Sequence, residues 1–224
     1  MAIFLLSLFG SASIGIYSLA TDKIAIIPPQ APETKANKVE KWLGVKVAKT
    51  IIGGSVVVGA LACANSNGVV LPYYVREEEL EIIKAVSDDA NLTVMETKRN
   101  AYGTMVLTND YGAIVDPRLK PKTIEKISDT LGVEVVLGEI AGLPYVGSLA
   151  LATNKGVLAH PLIKEEEQQL LKEVLKVPVD VGTINCGIPY VSTGLIGNSG
   201  NVVAGFFTTG PEMFIMGQAL DVVK

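Results

Sequence analysis

Along this chain short runs of branched aliphatic residues alternate with polar turns and charged stretches, and the alternation is periodic. Gly15, Gly59, Gly103 and Gly147 stand 44 residues apart, each just before an apolar run. Those runs end at Pro28, Pro72, Pro117 and Pro161, spaced 44, 45 and 44, with Phe206 in the corresponding place of a fifth copy. The segments ATDKIAIIPP (20–29), ANSNGVVLP (64–72), TNDYGAIVDP (108–117), TNKGVLAHP (153–161) and GNSGNVVAGF (197–206) each set an Asn/Asp/Gly turn before a short aliphatic strand. A run such as VVVGALACA or SLALAT precedes the turn and predicts a β-hairpin by its turn chemistry.

A charged amphipathic stretch follows in every copy, at 33–43, 76–87, 120–131, 163–176 and 211–223. Within these stretches Trp42, Val86, Leu131, Leu175 and Leu220 recur at the repeat spacing, with partners such as Leu80 and Ile83 or Ile124 and Ile127 at helical spacing. Each stretch therefore predicts a helix with one buried face. A third strand comes next, as VKVAKTI (45–51), LTVMET (92–97), VEVVLGEI (133–140) and VPVDVGTI (177–184). The unit reads strand, strand, helix, strand.

Five units of about 44 residues predict one domain over 1–224, divided as 9–53, 54–102, 103–146, 147–191 and 192–224, with a strand at 1–8. A WD40 propeller has a similar period but needs a Trp-Asp signature, and a HEAT array needs two helices per unit; neither fits. Radial closure suits units that cannot bury their faces alone. The fifth copy lacks a third strand while MAIFLLSL (1–8) is an apolar strand without a unit, so the N-terminal strand is expected to close the ring. The competing reading of that segment is a signal peptide, but no Lys or Arg precedes Lys23, and Ser7, Gly10, Ser11, Ser13 and Gly15 interrupt the run.

Composition narrows function more than fold. The 224 residues are 49% hydrophobic and 19% charged, which excludes disorder, and the net charge of −4 argues against nucleic-acid affinity driven by the global field. A local basic patch is still allowed. Cys63 and Cys186 are too few for a disulfide framework and too far apart for a clustered metal site, so a reducing, cytoplasmic setting is expected, with no metal, cofactor or membrane. P-loop and Rossmann signatures are absent; IIGGSVVVG (51–59) does not fit their spacing, and no helix is expected after it.

The pieces NSNGVVLP (65–72), NDYGAIVDP (109–117), AGLPYVGS (141–148), TNKGVLAHP (153–161), VPVDVGTIN (177–185) and TTGPE (208–212) together resemble the translation initiation factor 6 family. The resemblance runs over essentially the whole chain. It implies the pentein fold, an α/β five-bladed propeller with pseudo-fivefold symmetry, and a factor that binds the large ribosomal subunit and prevents joining of the small one, with a further role in large-subunit biogenesis. The chain stops at Lys224 and so resembles the archaeal form, without the polar tail of eukaryotic members. The implied partner is the large subunit, met mainly through ribosomal protein surface with limited rRNA contact, by a monomer that is not an enzyme.

Pentein folds also host guanidine-modifying enzymes with a cysteine nucleophile and a histidine, so the alternative is a cysteine hydrolase or deiminase using Cys186 and His160. His160, next to a proline, reads as structural, since the slot before that proline holds Ile27, Leu71 and Asp116 elsewhere and tolerates Ile and Leu; Cys63 in GALACA reads as a small hydrophobe. Asp22, Asn109, Asp110 and Asn154 form either a ring of polar groups in a central channel or ordinary hairpin-turn chemistry, the latter favoured. The runs REEELE (76–81) and KEEEQQ (164–169) are read as solvated helix starts.

One constellation favours interaction. Pro144-Tyr145-Val146-Gly147-Ser148 and Pro189-Tyr190-Val191-Ser192-Thr193 repeat one motif, and Tyr102-Gly103-Thr104 is expected to stand in the same place one copy earlier. Tyrosine beside glycine in a turn supplies contact area and a hydroxyl at little conformational cost. The family resemblance implies a ribosome-contacting face at this end, at Ile16, Gly59, Ala60, Tyr102, Gly103, Thr104, Tyr145, Gly147, Ser148, Tyr190 and Val191.

Overall fold

The structure, a computed structural model, describes residues 2–87 and 89–222. The outer ends of the expected strand 1–8 and helix 211–223, and of the last unit, lie outside the described residues at Met1, Val223 and Lys224.

Among the described residues the chain forms five three-stranded sheets, one per repeat. The middle strands Ile24–Ile27, Gly68–Leu71, Gly112–Val115, Val157–Ala159 and Val202–Gly205 are buried at every residue. Each pairs antiparallel with the strand before it, through the hairpin, and parallel with a third strand on its other side. The parallel pairing demands a crossover, and the helices Glu33–Leu43, Glu77–Lys84, Pro121–Leu131 and Glu165–Leu175 supply it. In the fifth sheet the third strand is Ile3–Leu6, in parallel register from Ile3 opposite Val202 to Leu6 opposite Gly205. The N-terminal strand thus closes the ring, as its pattern predicts.

The core lies in the seams between blades. Alternate residues of each middle strand point into the two flanking seams, so Val69 packs with Ile24, Ile26 and Ile83 while Val70 packs with Met105, Ile127 and Leu131. A strand buried on both faces has to read as a continuous apolar run, which is how these segments look in sequence. Side-chain amides reinforce the seams. Asn65 donates to Asn109 O (3.1 Å) and Leu131 O (2.9 Å) of the next blade, and Asn109 donates to Thr153 O (3.1 Å) and Leu175 O (2.8 Å) of the one after. Both sites are buried, where an unmet carbonyl would cost about 1–3 kcal/mol.

The repeat glycines do something the sequence pattern does not predict. The apolar run after each is not one strand: it opens as a one-turn helix, at Ile14–Tyr17, Val58–Leu61, Tyr102–Met105 and Val146–Leu149, with a 3-10 turn at Val191–Gly194 in the fifth blade. Only two or three residues of strand follow, such as Cys63–Ala64 and Ala150–Ala152. A helix therefore does follow IIGGSVVVG, though a single turn long. A short apolar run cannot be assigned to helix or strand by periodicity alone, and here axial packing decides. A Cβ on Gly59 would stand 1.9 Å from Gly15 O, one on Gly103 1.9 Å from Gly59 O, and one on Gly147 2.2 Å from Gly103 O. Each glycine lets its helix touch the backbone of the preceding one, Gly15 meeting Ser192 O likewise at 1.9 Å, and these four contacts, with Ser192 in the glycine's place in the fifth blade, close one end of the axis.

Candidate docking face

Two ends of the ring result from this wiring. At one end lie the hairpin turns, where Asp22, Ser66, Asp110, Asn154 and Ser199 take equivalent places. Asp110 accepts from Ser66 N (2.7 Å) and Oγ (2.7 Å), Asn154 Nδ2 donates to both Asp110 (2.7 Å) and Asp22 (2.8 Å), and Asp22 accepts from Ser199 N (2.6 Å) and Oγ (2.6 Å). Asp22, Asp110 and Asn154, read from sequence as turn formers, thus also join with Ser66 and Ser199 in a hydrogen-bonded chain across the axis, whereas Asn109 ties the seam. Behind the ring a cavity of about 90 Å³ runs along the axis toward the glycines.

The opposite end carries the turns between blades, the turns after the middle strands and the one-turn helices. The inter-blade turns Phe9-Gly10, Gly53-Gly54, Ala141-Gly142 and Cys186-Gly187 have positive φ at both residues, and a glycine supplies at least one of each pair. The third residue of the following outer helix holds them. Glu79 accepts from Gly53 N (2.6 Å) and Gly54 N (2.9 Å), and Glu167 from Ala141 N (2.7 Å) and Gly142 N (2.9 Å). Glu212 accepts from Gly187 N (2.8 Å) and Cys186 N (3.2 Å), and in the first blade Lys35 Nζ donates to Ser7 O (2.6 Å). The acidic runs REEELE and KEEEQQ are therefore not only solvated helix starts: their third Glu locks the adjacent turn, and Glu79 is buried. Burial would raise the Glu212 pKa, but hydrogen bonds from the Thr209 and Gly187 amides and the Thr209 and Thr183 hydroxyls outweigh it and hold the carboxyl at about 2.

On this braced end Tyr145 (45% exposed) and Tyr190 (44%) present their rings to solvent. Tyr102 does not. It is fully buried, its hydroxyl 3.2 Å from Thr97 Oγ1, because it matches Val146 and Val191, the inward residue of each one-turn helix, and not the tyrosines. Counted by helix, the equivalents of Tyr145 and Tyr190 are Ser13, Val57 and Ala101. Ile16, Ala60, Thr104 and Ser148 are half-buried around the axis, Gly59 and Gly103 sit in the backbone packing, and Gly147 and Val191 are buried.

The same counting corrects the slot of His160. Leu119 N bonds Asp116 O, Ile163 N bonds His160 O, and Ala31 N and Val75 N bond Pro28 O and Pro72 O in the same way. Asp116 and His160 therefore stand where Pro28 and Pro72 stand, one residue beyond Ile27 and Leu71, and the proline series slips by one between blades two and three. Asp116 is wholly buried and takes the Arg118 guanidinium through both oxygens, at 2.9 and 2.6 Å, with Arg99 3.8 Å away. Burial raises its pKa, yet the Arg118 hydrogen bonds and charge carry it below the usual carboxylate range. Arg118 lies over the Tyr145 ring, 5.0 Å from the centroid. His160 Nδ1 accepts from Leu162 N (3.1 Å), and its ring meets Tyr190 edge to face at 6.0 Å. Sequence reasoning put Asp116 in one slot with His160 but gave it no role, and missed Arg118; the residue count from each hairpin turn, seven to Pro28 and Pro72 but eight to Pro117 and Pro161, was the signal for them.

The groups of the alternative enzyme reading engage elsewhere. Burial lowers the His160 pKa, favouring the neutral ring that accepts from Leu162. Cys63 is buried among Val70 and Met105, and desolvation pushes its thiol strongly up, away from the thiolate. Cys186 is exposed, with Sγ 3.4 Å from Phe207 O. Among the described residues no three His, Cys, Asp or Glu side chains are placed to hold a metal ion, and no helix is long and apolar enough to cross a membrane.

A ring of five α/β blades, closed by its N-terminal strand and bearing a braced end on which Tyr73, Tyr145 and Tyr190 are exposed, is a pentein-type propeller. A family model described as the eIF-6 family matches residues 3–219. Proteins named translation initiation factor 6 are similar along their whole length: that of Pyrococcus horikoshii is 41% identical over 217 residues (95% of this chain, 96% of the relative), and that of Methanocaldococcus jannaschii 41% over 219 residues (96% of each). The one from Staphylothermus marinus is 36% identical over 223 residues, 99% of this chain and 98% of the relative. The chain belongs to the translation initiation factor 6 family.

Proposed function

We propose that the protein is a ribosomal anti-association factor, a monomeric single-domain ring that docks its tyrosine-bearing end on the large subunit and blocks the small subunit by bulk. Family membership supports a role in translation; what favours this end as the docking surface is that exposed Tyr73, Tyr145 and Tyr190 stand there, the last two following inter-blade turns held by Glu167 and Glu212. Rigid aromatic anchors lose little entropy on binding and are enriched among the residues that dominate interface energy. The acidic chain suits basic ribosomal protein surface, and Arg118 over Tyr145, with Arg99 near Asp116, gives rRNA phosphate a limited foothold. The action is steric, needs no cofactor or catalysis, and takes place in the cytoplasm; a part in large-subunit biogenesis follows from the same docking.

The test is sedimentation of mixed large and small subunits under associating conditions. The protein is expected to travel with the large subunit and to deplete the joined particle. Free protein at the top of the gradient with normal joining overturns the proposal.

A further inference from the structure

At the docking end each middle strand leads into a turn whose first residue is marked by its carbonyl accepting from the N–H three residues on, and in repeat register it is matched with the residue before the next blade's one-turn helix. By repeat register the five pairs are Pro28 with Val57, Pro72 with Ala101, Asp116 with Tyr145, His160 with Tyr190 and Gly205 with Ser13. A side chain that can organise a turn and a tyrosine occur together in two seams, and neither occurs in the other three.

The two seams use one device. Asp116 Oδ1 accepts the N–H of Arg118 (2.8 Å), and His160 Nδ1 accepts the N–H of Leu162 (3.1 Å), each two residues on. The main chain is anchored alike, Asp116 N to Met105 O (2.9 Å) and His160 N to Leu149 O (2.8 Å). From that common turn each reaches the neighbouring tyrosine, Asp116 through the guanidinium it grips and His160 with its own ring. Asp116 and His160 are themselves buried, so neither offers a partner much surface, whereas the rings they reach, Tyr145 by way of Arg118 and Tyr190 directly, are nearly half exposed. Such burial suits a support and not a contact.

We propose that Asp116 and His160 are positioning residues for docking: each fixes the exposed tyrosine of the following blade in one rotamer, so that Tyr145 and Tyr190 meet the partner already oriented. The inference rests on the docking reading above. Fixing a rotamer before contact removes an ordering cost that would otherwise fall on binding.

Asp116→Asn and His160→Asn test it, because asparagine keeps an acceptor for the i+2 amide while removing the ion pair in one case and the ring in the other. In the free protein, three-bond couplings should show a single χ1 rotamer for both tyrosines; D116N should average Tyr145 alone, and H160N Tyr190 alone. Each variant should melt lower than the parent, since a buried ion pair or ring is lost, yet remain folded at the binding temperature and bind large subunits about five- to tenfold more weakly. D116N should cost nothing further in a Y145A background, yet multiply with Y190A. Rotamers unmoved in both variants, or losses that multiply between D116N and Y145A, overturn the positioning role. If the wild-type protein binds no large subunit, the docking reading falls, and the couplings in the free protein still decide whether the two residues position the rings.

Discussion

The two ends of the ring come from one repeat, yet they differ in what they ask of a residue. At the hairpin end five equivalent positions, Asp22, Ser66, Asp110, Asn154 and Ser199, are all small or polar and bond one another across the axis. At the other end the equivalent positions Ser13, Val57, Ala101, Tyr145 and Tyr190 share no chemistry. A position constrained by its neighbours in the ring repeats from blade to blade; one that faces outward diverges with what it meets. The glycines beneath the divergent end show the constraint at its strictest, since a missing Cβ lets four of the five one-turn helices meet the backbone before them, with Ser192 in that place in the fifth.

Gly59→Ala breaks the comparison most severely. Its methyl would sit 1.9 Å from Gly15 O and 2.4 Å from Ser18 O, both backbone atoms that cannot turn aside. A loss of about 3 kcal/mol or more is expected in denaturant unfolding. Gly210→Ala, on the first turn of an outer helix with open space around it, should stay within about 0.5 kcal/mol. Equal melting of the two variants would remove the axial contact as the reason for the 44-residue spacing.

Glu212 sharpens the same contrast through pH. Its carboxyl lies at about 2 in the fold against 4.5 unperturbed, a depressed value, so its contribution is complete above about 4.5 and disappears as pH falls through about 2. The shift corresponds to stabilisation on the order of 3 kcal/mol. Glu212→Gln should therefore flatten the stability profile between pH 5 and 2, and a wild-type profile already flat over that window would deny the turn lock its role.

Much of this was legible in the residues because the fold is a repeat. Turn, middle strand, outer helix and third strand each follow from local pattern, and the N-terminal strand was placed by a gap at the other end of the chain. What was not legible depended on register at single residues. Tyr102 reads as a third surface tyrosine until the helix shows it in the inward place of Val146, and His160 aligns with Ile27 by its proline but with Pro28 by its hydrogen bonds. Periodicity fixes a segment to within a residue, and one residue is the difference between a core side chain and an exposed one.

Tyr111 and Tyr190 bring the comparison down to one ring at each end. They are almost equally exposed, at 45% and 44%, but Tyr111 sits in a hairpin turn at the polar end, one residue from Asp110, while Tyr190 stands on the braced turn beside His160. Neither ring contributes much to folding, so both alanine variants should melt within about 0.5 kcal/mol of the parent. If the divergent end is the one that docks, Tyr190→Ala should weaken binding to purified large subunits about tenfold while Tyr111→Ala leaves it unchanged. The reverse result would assign docking to the hairpin end and leave the tyrosine pair as surface without a partner. Equal losses from both would mean that exposure alone, and not the bracing beneath the ring, sets what a tyrosine on this propeller is worth.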